Sequence, residues 1–314
     1  MGVMASVVVL IGLADVQAVT MYLTTRDTSK ITLAGVTFER GDIVEYDTVA
    51  GTASLFFSGR QYFRNSDGDT GVAENIDALY VYPDGRMLLS TDSTARLGAS
   101  TLKFEPGDVV LFDMAADTAS LFFDGNGTGS LFRTSGWNRG ATEDVDAFHL
   151  MDNGHYLLST SGDARLGANH VSLKPGDIVE YDPVNDLASV YFASTLFRTA
   201  GGDPVGPAAI NVDGASMLDG DLLLSVAEST ARLGAPPNML TFRDGDIVLY
   251  DRLTDEAFVF FSEDMLHCTE RDIDGLSVLA MVEGPPPGIP EPVTACGLCL
   301  GLAGLVRYVR RRRA

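Results

Sequence analysis

Short apolar runs separated by polar, turn-forming residues make up the chain from residue 21 to residue 281, and four kinds of run follow one another in a fixed order. The first kind reads NIDAL (75–79), DVDAF (144–148), NVDGA (211–215) and DIDGL (272–276). The second kind reads MYLTT (21–25), MLLST (87–91), YLLST (156–160) and LLLSV (222–226). The third kind reads GDIVEYD (41–47), GDVVLFD (107–113), GDIVEYD (176–182) and GDIVLYD (245–251). The fourth kind reads ASLFF (53–57), ASLFF (119–123), ASVYF (188–192) and AFVFF (257–261). This internal similarity predicts four copies of one structural unit.

Each copy predicts four short β-strands, because the runs are rich in the residues that favour strands and are bounded by turn residues. Asp-Gly or Asn-Gly pairs separate the first two strands at 84–85, 153–154 and 219–220, and they predict tight hairpins. The third and fourth strands are almost continuously apolar, so we expect both faces of each sheet to be covered. Four-stranded sheets covered on both faces and repeated in tandem are typical of propeller blades.

The order of the runs at the two ends predicts a closed ring. The chain begins with a strand of the second kind at Met21 and ends with the fourth copy of the first kind at 272–281. Four complete blades result only if this last strand joins the first three. We therefore expect an all-β, four-bladed β-propeller at residues 19–283, closed by its C-terminal strand, which removes exposed sheet edges. The alternatives are a pair of β-sandwiches and an open solenoid, although a solenoid would carry atypical capping repeats.

The N-terminus contains an apolar run from Ala5 to Ala14, followed by Val16-Gln17-Ala18. Its length and the small residues after it predict a signal peptide at residues 1–18. The run has no Lys or Arg before it, and a buried first strand is the alternative reading.

The C-terminus has three parts in a fixed order. Residues 284–292 form a Pro-rich linker, residues 293–306 are apolar, and arginines crowd the end of the chain. The apolar part is shorter than the roughly 20 residues that a membrane span needs, although Arg307 could lengthen it by reaching toward the lipid headgroups. We expect residues 293–314 to form an apolar helical sorting tail that anchors the chain transiently in a membrane, with its basic end cytoplasmic.

These motifs resemble the PEP-CTERM sorting signal of bacterial surface proteins. The residues that carry the resemblance are Pro290, Glu291, Pro292, Arg310, Arg311, Arg312 and Arg313. It implies that an exosortase-type enzyme recognises and removes the tail, and that the protein reaches the cell surface or extracellular matrix. The repeats between residues 21 and 281 are also similar to those of uncharacterised PEP-CTERM proteins, which implies no known activity.

Charge narrows the range of partners. The formal net charge is −21, and removing residues 293–314 takes away five arginines and no acid, which changes it to −26. A body this acidic repels nucleic acid and attracts cations, so we expect no nucleic-acid partner. Three cysteines are present, two of them in the apolar tail, so no disulfide framework is expected.

The first strand of each copy offers candidate metal ligands. Two polar residues stand two positions apart in every copy: Asn75 and Asp77, Asp144 and Asp146, Asn211 and Asp213, Asp272 and Asp274. Two-residue spacing places both members on one face of a strand, and the first strand of a blade lines the central channel. We therefore predict a channel ring of Asp77, Asp146, Asp213 and Asp274 that could bind Ca²⁺, which prefers oxygen ligands. No cofactor is required by this reading, and the alternative is that the aspartates cap the starts of the strands.

Three further sets of charged residues repeat. For Arg96, Arg165 and Arg232, with Lys30 at the matching offset, we expect interblade ion pairs with repeated aspartates. The Gly-Asp aspartates are expected to begin strands and the Tyr-Asp or Phe-Asp aspartates to end them: Asp42, Asp108, Asp177 and Asp246, and Asp47, Asp113, Asp182 and Asp251.

No common catalytic motif stands out in the sequence, and the four histidines show no metal-ligand spacing. We expect an exported, non-catalytic surface or matrix protein that binds an extracellular polysaccharide or matrix protein. The alternative is a propeller hydrolase, of the glycoside hydrolase or lactonase type, that acts on extracellular polymer. Glycosidases need two carboxylates in different environments, and a fourfold repeat argues against such a difference.

Overall fold

A computed structural model of the chain describes residues 19–26, 30–126, 130–136, 138–267 and 272–280, apart from the side chain of the last residue. Contacts separate a unit that ends at Ala280 from residues 281–314. The predicted signal peptide, linker and sorting tail lie outside the described residues, and so do the tail residues of the sorting motif. Within the described ranges, the structure contains no helix of the length and apolarity that a bilayer crossing requires.

The described residues are almost entirely β-structure. The first repeat holds β1 (Val19–Thr25), β2 (Ile31–Leu33), β3 (Val36–Phe38), β4 (Ile43–Asp47) and β5 (Thr52–Phe57). The second holds β6 (Ile76–Val81), β7 (Met87–Thr91), β8 (Ala95–Leu97), β9 (Leu102–Phe104), β10 (Val109–Asp113) and β11 (Thr118–Phe123). The third holds β12 (Val145–Leu150), β13 (Tyr156–Thr160), β14 (Ala164–Leu166), β15 (Val171–Leu173), β16 (Ile178–Asp182) and β17 (Leu187–Phe192). The fourth holds β18 (Val212–Leu218), β19 (Asp221–Val226), β20 (Ala231–Leu233), β21 (Leu240–Phe242), β22 (Ile247–Asp251) and β23 (Glu256–Phe261), and β24 (Ile273–Ala280) follows. One turn of helix, α1 (Gly59–Tyr62), and two 3₁₀ turns at Ser194–Leu196 and Glu263–Met265 follow outer strands.

Four antiparallel sheets of four strands form four blades, as the repeats predict. Their strand orders are β24-β1-β4-β5 in blade 1, β6-β7-β10-β11 in blade 2, β12-β13-β16-β17 in blade 3 and β18-β19-β22-β23 in blade 4. The first strands of adjacent blades contact one another in a closed cycle: β24 contacts β6 and β18, and β12 contacts the same two strands. These four inner strands therefore surround the propeller axis.

The C-terminal strand closes the ring, which confirms the predicted closure. β24 pairs with β1 along its length, from Thr25 opposite Ile273 to Val19 opposite Ala280. Blade 1 is thus assembled from both ends of the described chain, and every inner strand has both neighbouring blades beside it.

Apolar clusters occupy the spaces between blades. Tyr22 and Ile43 of blade 1 pack with Leu79 and Phe112 of blade 2, and each of the other interfaces has a similar cluster. The closing interface between blades 4 and 1 is as apolar as the others, because Leu223 and Phe261 pack there against residues of β1 and β24.

The expectation that both faces of the outer strands are covered is wrong. Leu55, Leu121, Val190 and Val259 stand at the same position of the four outer strands and are 47%, 49%, 49% and 44% exposed. Only one face of each outer strand packs into its blade interface, because no further layer lies outside it among the described residues. The continuous apolar sequence of the outer strands therefore does not mean that both of their faces are covered.

A two-stranded hairpin follows the second strand of every blade and was not predicted. The hairpins are β2–β3, β8–β9, β14–β15 and β20–β21. Each joins its blade to the preceding one through a backbone hydrogen bond: Arg64 N–H to Arg96 O at 2.9 Å, Arg133 to Arg165 at 2.8 Å, Arg198 to Arg232 at 2.8 Å and His267 to Thr32 at 2.9 Å. The closing interface also has this bond, so the same backbone contact joins adjacent blades at all four interfaces.

Candidate metal centre

Each inner strand has a β-bulge near its start, at the same position of the repeat. Ile76 pairs with Thr91 and Ala78 pairs with Ser90, so Asp77 is the extra residue of β6. The same slip of register occurs beside Asp146, Asp213 and Asp274. A bulge interrupts the alternation of side chains along a strand and re-aims the extra residue. The aspartates of the predicted ring are therefore all held by the same local distortion.

The four predicted ring residues are brought together and buried. Their exposed fractions are 2% for Asp77, 8% for Asp146, 2% for Asp213 and 3% for Asp274. They do not form a fourfold ring, however. Asn75 Nδ2 donates to Asp274 Oδ2, and Asn211 Nδ2 donates to Asp146 Oδ2 at 2.5 Å, whereas Asp77 and Asp213 receive no such bond among the described residues.

This alternation divides the acids into two groups related by a twofold pattern. Asn75 reaches back to blade 1, while one oxygen each of Asp77, Asp144 and Asp146 lies within 4.8 Å of the others. The expected placement on one face is seen for Asp144 and Asp146, whereas Asn75 bonds to Asp274 and Asp77 lies beside Asp144 and Asp146. We call Asp77, Asp144 and Asp146 triad A, and the equivalent residues Asp213, Asp272 and Asp274 triad B.

We call the end of the inner strands where the bulges lie, at Ile76 of β6 and Ile273 of β24, the channel mouth. Asp77 is the least compensated acid there among the described residues. Neither carboxylate oxygen of Asp77 receives a hydrogen bond from any described residue. Its counterpart Asp213 accepts one at Oδ1 from the Ser225 hydroxyl, at 2.8 Å. The equivalent hydroxyls of Ser90 and Ser159 are buried without a partner among the described residues. Buried polar atoms of native proteins normally have hydrogen-bond partners. Triad A therefore has more unsatisfied oxygen atoms than is usual for a cluster with a purely structural role.

The acids raise one another's pKa values. Burial and then the charges of Asp144 and Asp274 hold the pKa of Asp77 well above its usual range. Burial raises the pKa of Asp146 to about 7, against a lowering by the bond from Asn211. Burial and then the charge of Asp272 raise the pKa of Asp274 to about 7, and burial with Asp272 and Asp274 raises the pKa of Asp213. Each carboxylate is therefore costly in its charged form.

The donor set of triad A suits a hard divalent cation. The three carboxylates of Asp77, Asp144 and Asp146 supply oxygen atoms only. Ca²⁺ and Mg²⁺ bind oxygen ligands, whereas Zn²⁺ sites normally contain His or Cys. The residues present therefore fit the Ca²⁺ that the sequence suggested.

The other repeated aspartates have structural roles, as predicted. The Gly-Asp aspartates each accept two backbone hydrogen bonds: Asp42 from Glu39 and Gly59, Asp108 from Glu105 and Gly125, Asp177 from Lys174 and Ser194, and Asp246 from Arg243 and Glu263. They tie the turn before the third strand to the segment after the fourth. The Tyr-Asp and Phe-Asp aspartates are the last residues of β4, β10, β16 and β22 and accept bonds from the following turns.

The repeated interblade ion pair uses other arginines than those expected. Arg64 pairs with Asp117 at 2.8 Å and Arg198 with Asp255 at 3.5 Å, and Arg133 pairs with Asp186 in the same way. Each arginine follows an outer strand and reaches the turn between the third and fourth strands of the next blade. The backbone oxygens of Arg96, Arg165 and Arg232 accept the hairpin bonds described above.

Comparisons with known proteins give no family. No protein-family model matches the chain, and no curated protein matches its sequence. An extracellular domain of a one-component system from B. thetaiotaomicron shares 10% identity at a TM-score of 0.33, over 83% of this chain and 36% of that one. Virginiamycin B lyase from Staphylococcus aureus shares 9% identity at a TM-score of 0.29, over 77% of this chain and 88% of that one. A protein from Bacteroides caccae shares 10% identity at a TM-score of 0.34, over 84% of this chain and 100% of that one. With TM-scores this low, these likenesses contribute nothing to the assignment of a function, which depends on the channel mouth.

Sequence reasoning missed one charged residue of the mouth. Arg26 follows the second strand of blade 1, and the residues at the same repeat position are Asp92, Ser161 and Ala227. Its signal in the sequence is a repeat position at which the four copies differ in charge, whereas the ring aspartates stand at a position where all four copies agree.

Proposed function

We propose that this chain is an exported, non-catalytic binding propeller of the cell surface or matrix, and that triad A in its channel mouth holds a divalent cation, with Ca²⁺ the best fit. The observation that carries the proposal is Asp77, a 2% exposed carboxylate without a hydrogen-bond donor among the described residues. Asp144 and Asp146 stand beside it, and the charge of each is unfavourable to the other two.

Two arrangements could make this cluster tolerable. The carboxyls can stay protonated, or a bound cation can neutralise them and satisfy their oxygens. Protonation supplies a single hydrogen per carboxyl, whereas a cation with six to eight ligands can use several of the oxygen atoms at once. The number of unsatisfied oxygens in triad A favours the cation.

The tail supports export. Its PEP-CTERM resemblance favours processing by an exosortase-type enzyme and delivery to the cell surface or matrix, where an extracellular polysaccharide or matrix protein would be the partner.

The test compares two buried aspartates with opposite environments. Asp77→Asn removes a charge that has no partner, so in EDTA we expect it to stabilise the protein by about 1–3 kcal/mol. It should also abolish the rise in Tm that Ca²⁺ gives the unsubstituted chain, since a ligand of the folded state stabilises by about 2.7 kcal/mol at 100 times Kd. Thermal melts and calorimetric titration with Ca²⁺ and with Mg²⁺ give both quantities.

Asp42→Asn is the matched control. Asp42 is 8% exposed and accepts backbone hydrogen bonds at both oxygens, so an amide nitrogen in place of one oxygen faces a donor. We expect this variant to lose about 1–3 kcal/mol with and without Ca²⁺. If Asp77→Asn is destabilised like Asp42→Asn and Ca²⁺ moves no Tm, the aspartates are structural caps and the cation proposal fails.

A further inference from the structure

Tyrosines are gathered at the end of the propeller opposite the channel mouth, at the interface between blades 2 and 3. Tyr80 lies near the end of β6 and Tyr82 follows this strand, while Tyr156 begins β13 in the next blade. All three are partly buried against the apolar cluster between the two blades. The rings of Tyr80 and Tyr82 meet edge to face with their centroids 5.0 Å apart. We call these three residues the tyrosine cluster.

Packing between blades does not require tyrosine at these positions. The other copies of the repeat have aliphatic residues at the position of Tyr82, namely Met151, Leu218 and Leu279, and at the position of Tyr156, namely Met21, Met87 and Leu222. Methionine and leucine therefore close the corresponding gap at the other interfaces of the same fold. The tyrosines add aromatic rings and hydroxyls that blade packing does not use, and they break the repeat at one place.

The hydroxyls of the tyrosine cluster are free to bind a ligand. Three buried tyrosines elsewhere in the propeller each donate to an acid: Tyr22 to Glu45 at 3.3 Å, Tyr181 to Asp186 at 3.0 Å and Tyr250 to Asp255 at 2.8 Å. The three hydroxyls of the cluster donate to no described residue. A tyrosine with an apolar ring and an unused hydroxyl suits a binding surface, because it offers a partner both apolar contact and a hydrogen bond.

The charges beside the tyrosine cluster favour a neutral ligand. The Arg86 guanidinium lies 5.2 Å from the centroid of the Tyr82 ring and is paired with Asp84 at 2.9 Å. The His149 ring lies 5.3 Å from that of Tyr80, and burial lowers the pKa of His149 to about 4, so this imidazole is uncharged at neutral pH. The formal charge of the whole chain is −21. An anionic polymer would therefore find no unpaired cation among these residues and would be repelled by the body.

We propose that the tyrosine cluster binds a neutral glycan, with its rings against the C–H faces of the sugars and its hydroxyls bonded to sugar hydroxyls. A sugar ring presents both kinds of surface, and the negative face of an aromatic ring attracts polarised C–H groups. A neutral glycan thus uses both features of the cluster. This inference rests on the binding role proposed above, of which it names the ligand, and it does not require a cation at triad A.

Affinity electrophoresis of the full chain in EDTA tests the inference, because a polymer that binds the protein slows its migration through the gel. The probes are the neutral polymers dextran, laminarin, hydroxyethylcellulose and galactomannan, with polygalacturonate as the anionic comparison. We expect at least one neutral polymer to retard the unsubstituted chain. Tyr82→Leu and Tyr156→Met introduce residues that other copies of the repeat already have, and each should weaken this binding by about tenfold.

Tyr62→Leu is the matched control. Tyr62 is also partly buried, but it follows the outer strand of blade 1 and stacks on Phe57, with the ring centroids 5.2 Å apart. We expect this variant to bind the polymer as the unsubstituted chain does. The Tm of every variant is measured, and either cluster variant decides the question if the other fails to fold.

The outcomes separate the tyrosine cluster from the cation site. Retardation in EDTA that the cluster variants lose supports the glycan surface, whether or not Ca²⁺ raises the Tm. Retardation that every variant keeps, that only polygalacturonate causes, or that appears only with Ca²⁺ overturns it, and so does the absence of retardation by every polymer. Binding of tetramethylammonium in place of the polymers, lost in Tyr82→Leu, would also overturn it and would assign the rings to a cation.

Discussion

Aspartate serves two opposite purposes in the interior of this protein. Asp42 and its equivalents are buried because each accepts two backbone hydrogen bonds, and the fold supplies donors for the charge. Asp77 is buried more completely and is given no donor by the described residues. Hydrogen bonds to a charged acceptor are worth about 1.5–3 kcal/mol each, so the first kind stabilises the blade whereas the second kind must be neutralised by something else. Residue type and burial alone do not distinguish the two.

The ionisation of Asp146 and Asp274 should make the metal-free protein more stable at pH 6 than at pH 8. Their pKa is about 7 in the folded chain and close to 3.8 in the unfolded chain, so the folded state binds more protons between these values. The free energy of unfolding therefore falls as the pH rises from about 4 to about 7 and levels off above that. Each group contributes about 1.4 kcal/mol between pH 6 and pH 8.

The measurement is chemical denaturation in EDTA at both values of pH, with Asp146→Asn beside the unsubstituted chain. The variant should show about 1 kcal/mol less change between them. The comparison with a variant is needed because burial lowers the pKa of His149 to about 4, and this group works in the opposite direction below pH 6.5. Identical pH profiles for the two proteins would show that Asp146 titrates normally.

At the scale of elements, the closing interface is built differently from the other three. Three interfaces have an ion pair between an arginine after the outer strand and an aspartate in the next blade. At the junction of blades 4 and 1 the corresponding residues are His267 and Gly51, so neither the arginine nor the aspartate of the ion pair is present there. Asp117, Asp186, Asp255 and Gly51 all have positive φ, so the turn itself is kept and only the charge pair is lost. The β1–β24 ladder lies within blade 1, like β6–β7 in blade 2, but it is the ladder that joins the two ends of the described chain.

Removing β24 should therefore destabilise the whole propeller and not only blade 1. A chain that ends at residue 271 loses the ladder to β1, the contacts of β24 with β6 and β18, and Ile273, Leu276 and Val278 of the closing apolar cluster. We expect its melting transition to fall by more than 10 °C or to disappear, whereas a chain that ends at residue 283 should melt with the full-length protein. Differential scanning calorimetry checks this, and equal Tm values for the two truncations would contradict a ring held by its last strand.

At the scale of the molecule, the acidic mouth belongs to a strongly acidic body. It lies at the Ile273 end of the β1–β24 ladder, and Val19 and Ala280 pair at the other end. The chain without residues 293–314 keeps a formal charge of −26, which attracts cations.

Processing in the native host tests the proposed destination. We expect the protein recovered from the cell surface or matrix to lack residues 1–18 and residues 293–314, because the tail would be removed after it is recognised by the sorting enzyme. Intact-mass spectrometry measures both ends at once. Replacing Arg310, Arg311, Arg312 and Arg313 with Gln should cause the unprocessed chain to accumulate in the membrane fraction. Surface-exposed protein that retains its arginine-rich end would contradict the proposed sorting.

The sequence determined the blades, because local patterns specify them. Alternating strand and turn residues set the four-stranded unit, Asp-Gly and Asn-Gly set the hairpins, and the order of the runs at Met21 and at 272–281 required a ring closed by the last strand. The ring aspartates were predicted for the same reason: each stands at a repeated position that leads to the axis.

Only the tertiary structure decided how those aspartates are used. The bulges at Asp77 and its equivalents depend on strand register, and the bonds from Asn75 and Asn211 depend on how closely adjacent blades pack. Four similar copies consequently give a twofold arrangement of the acids. Contacts between residues 199 positions apart, such as Asn75 and Asp274, have no local signature, because their energy comes from burial and from groups that meet only when the ring is closed.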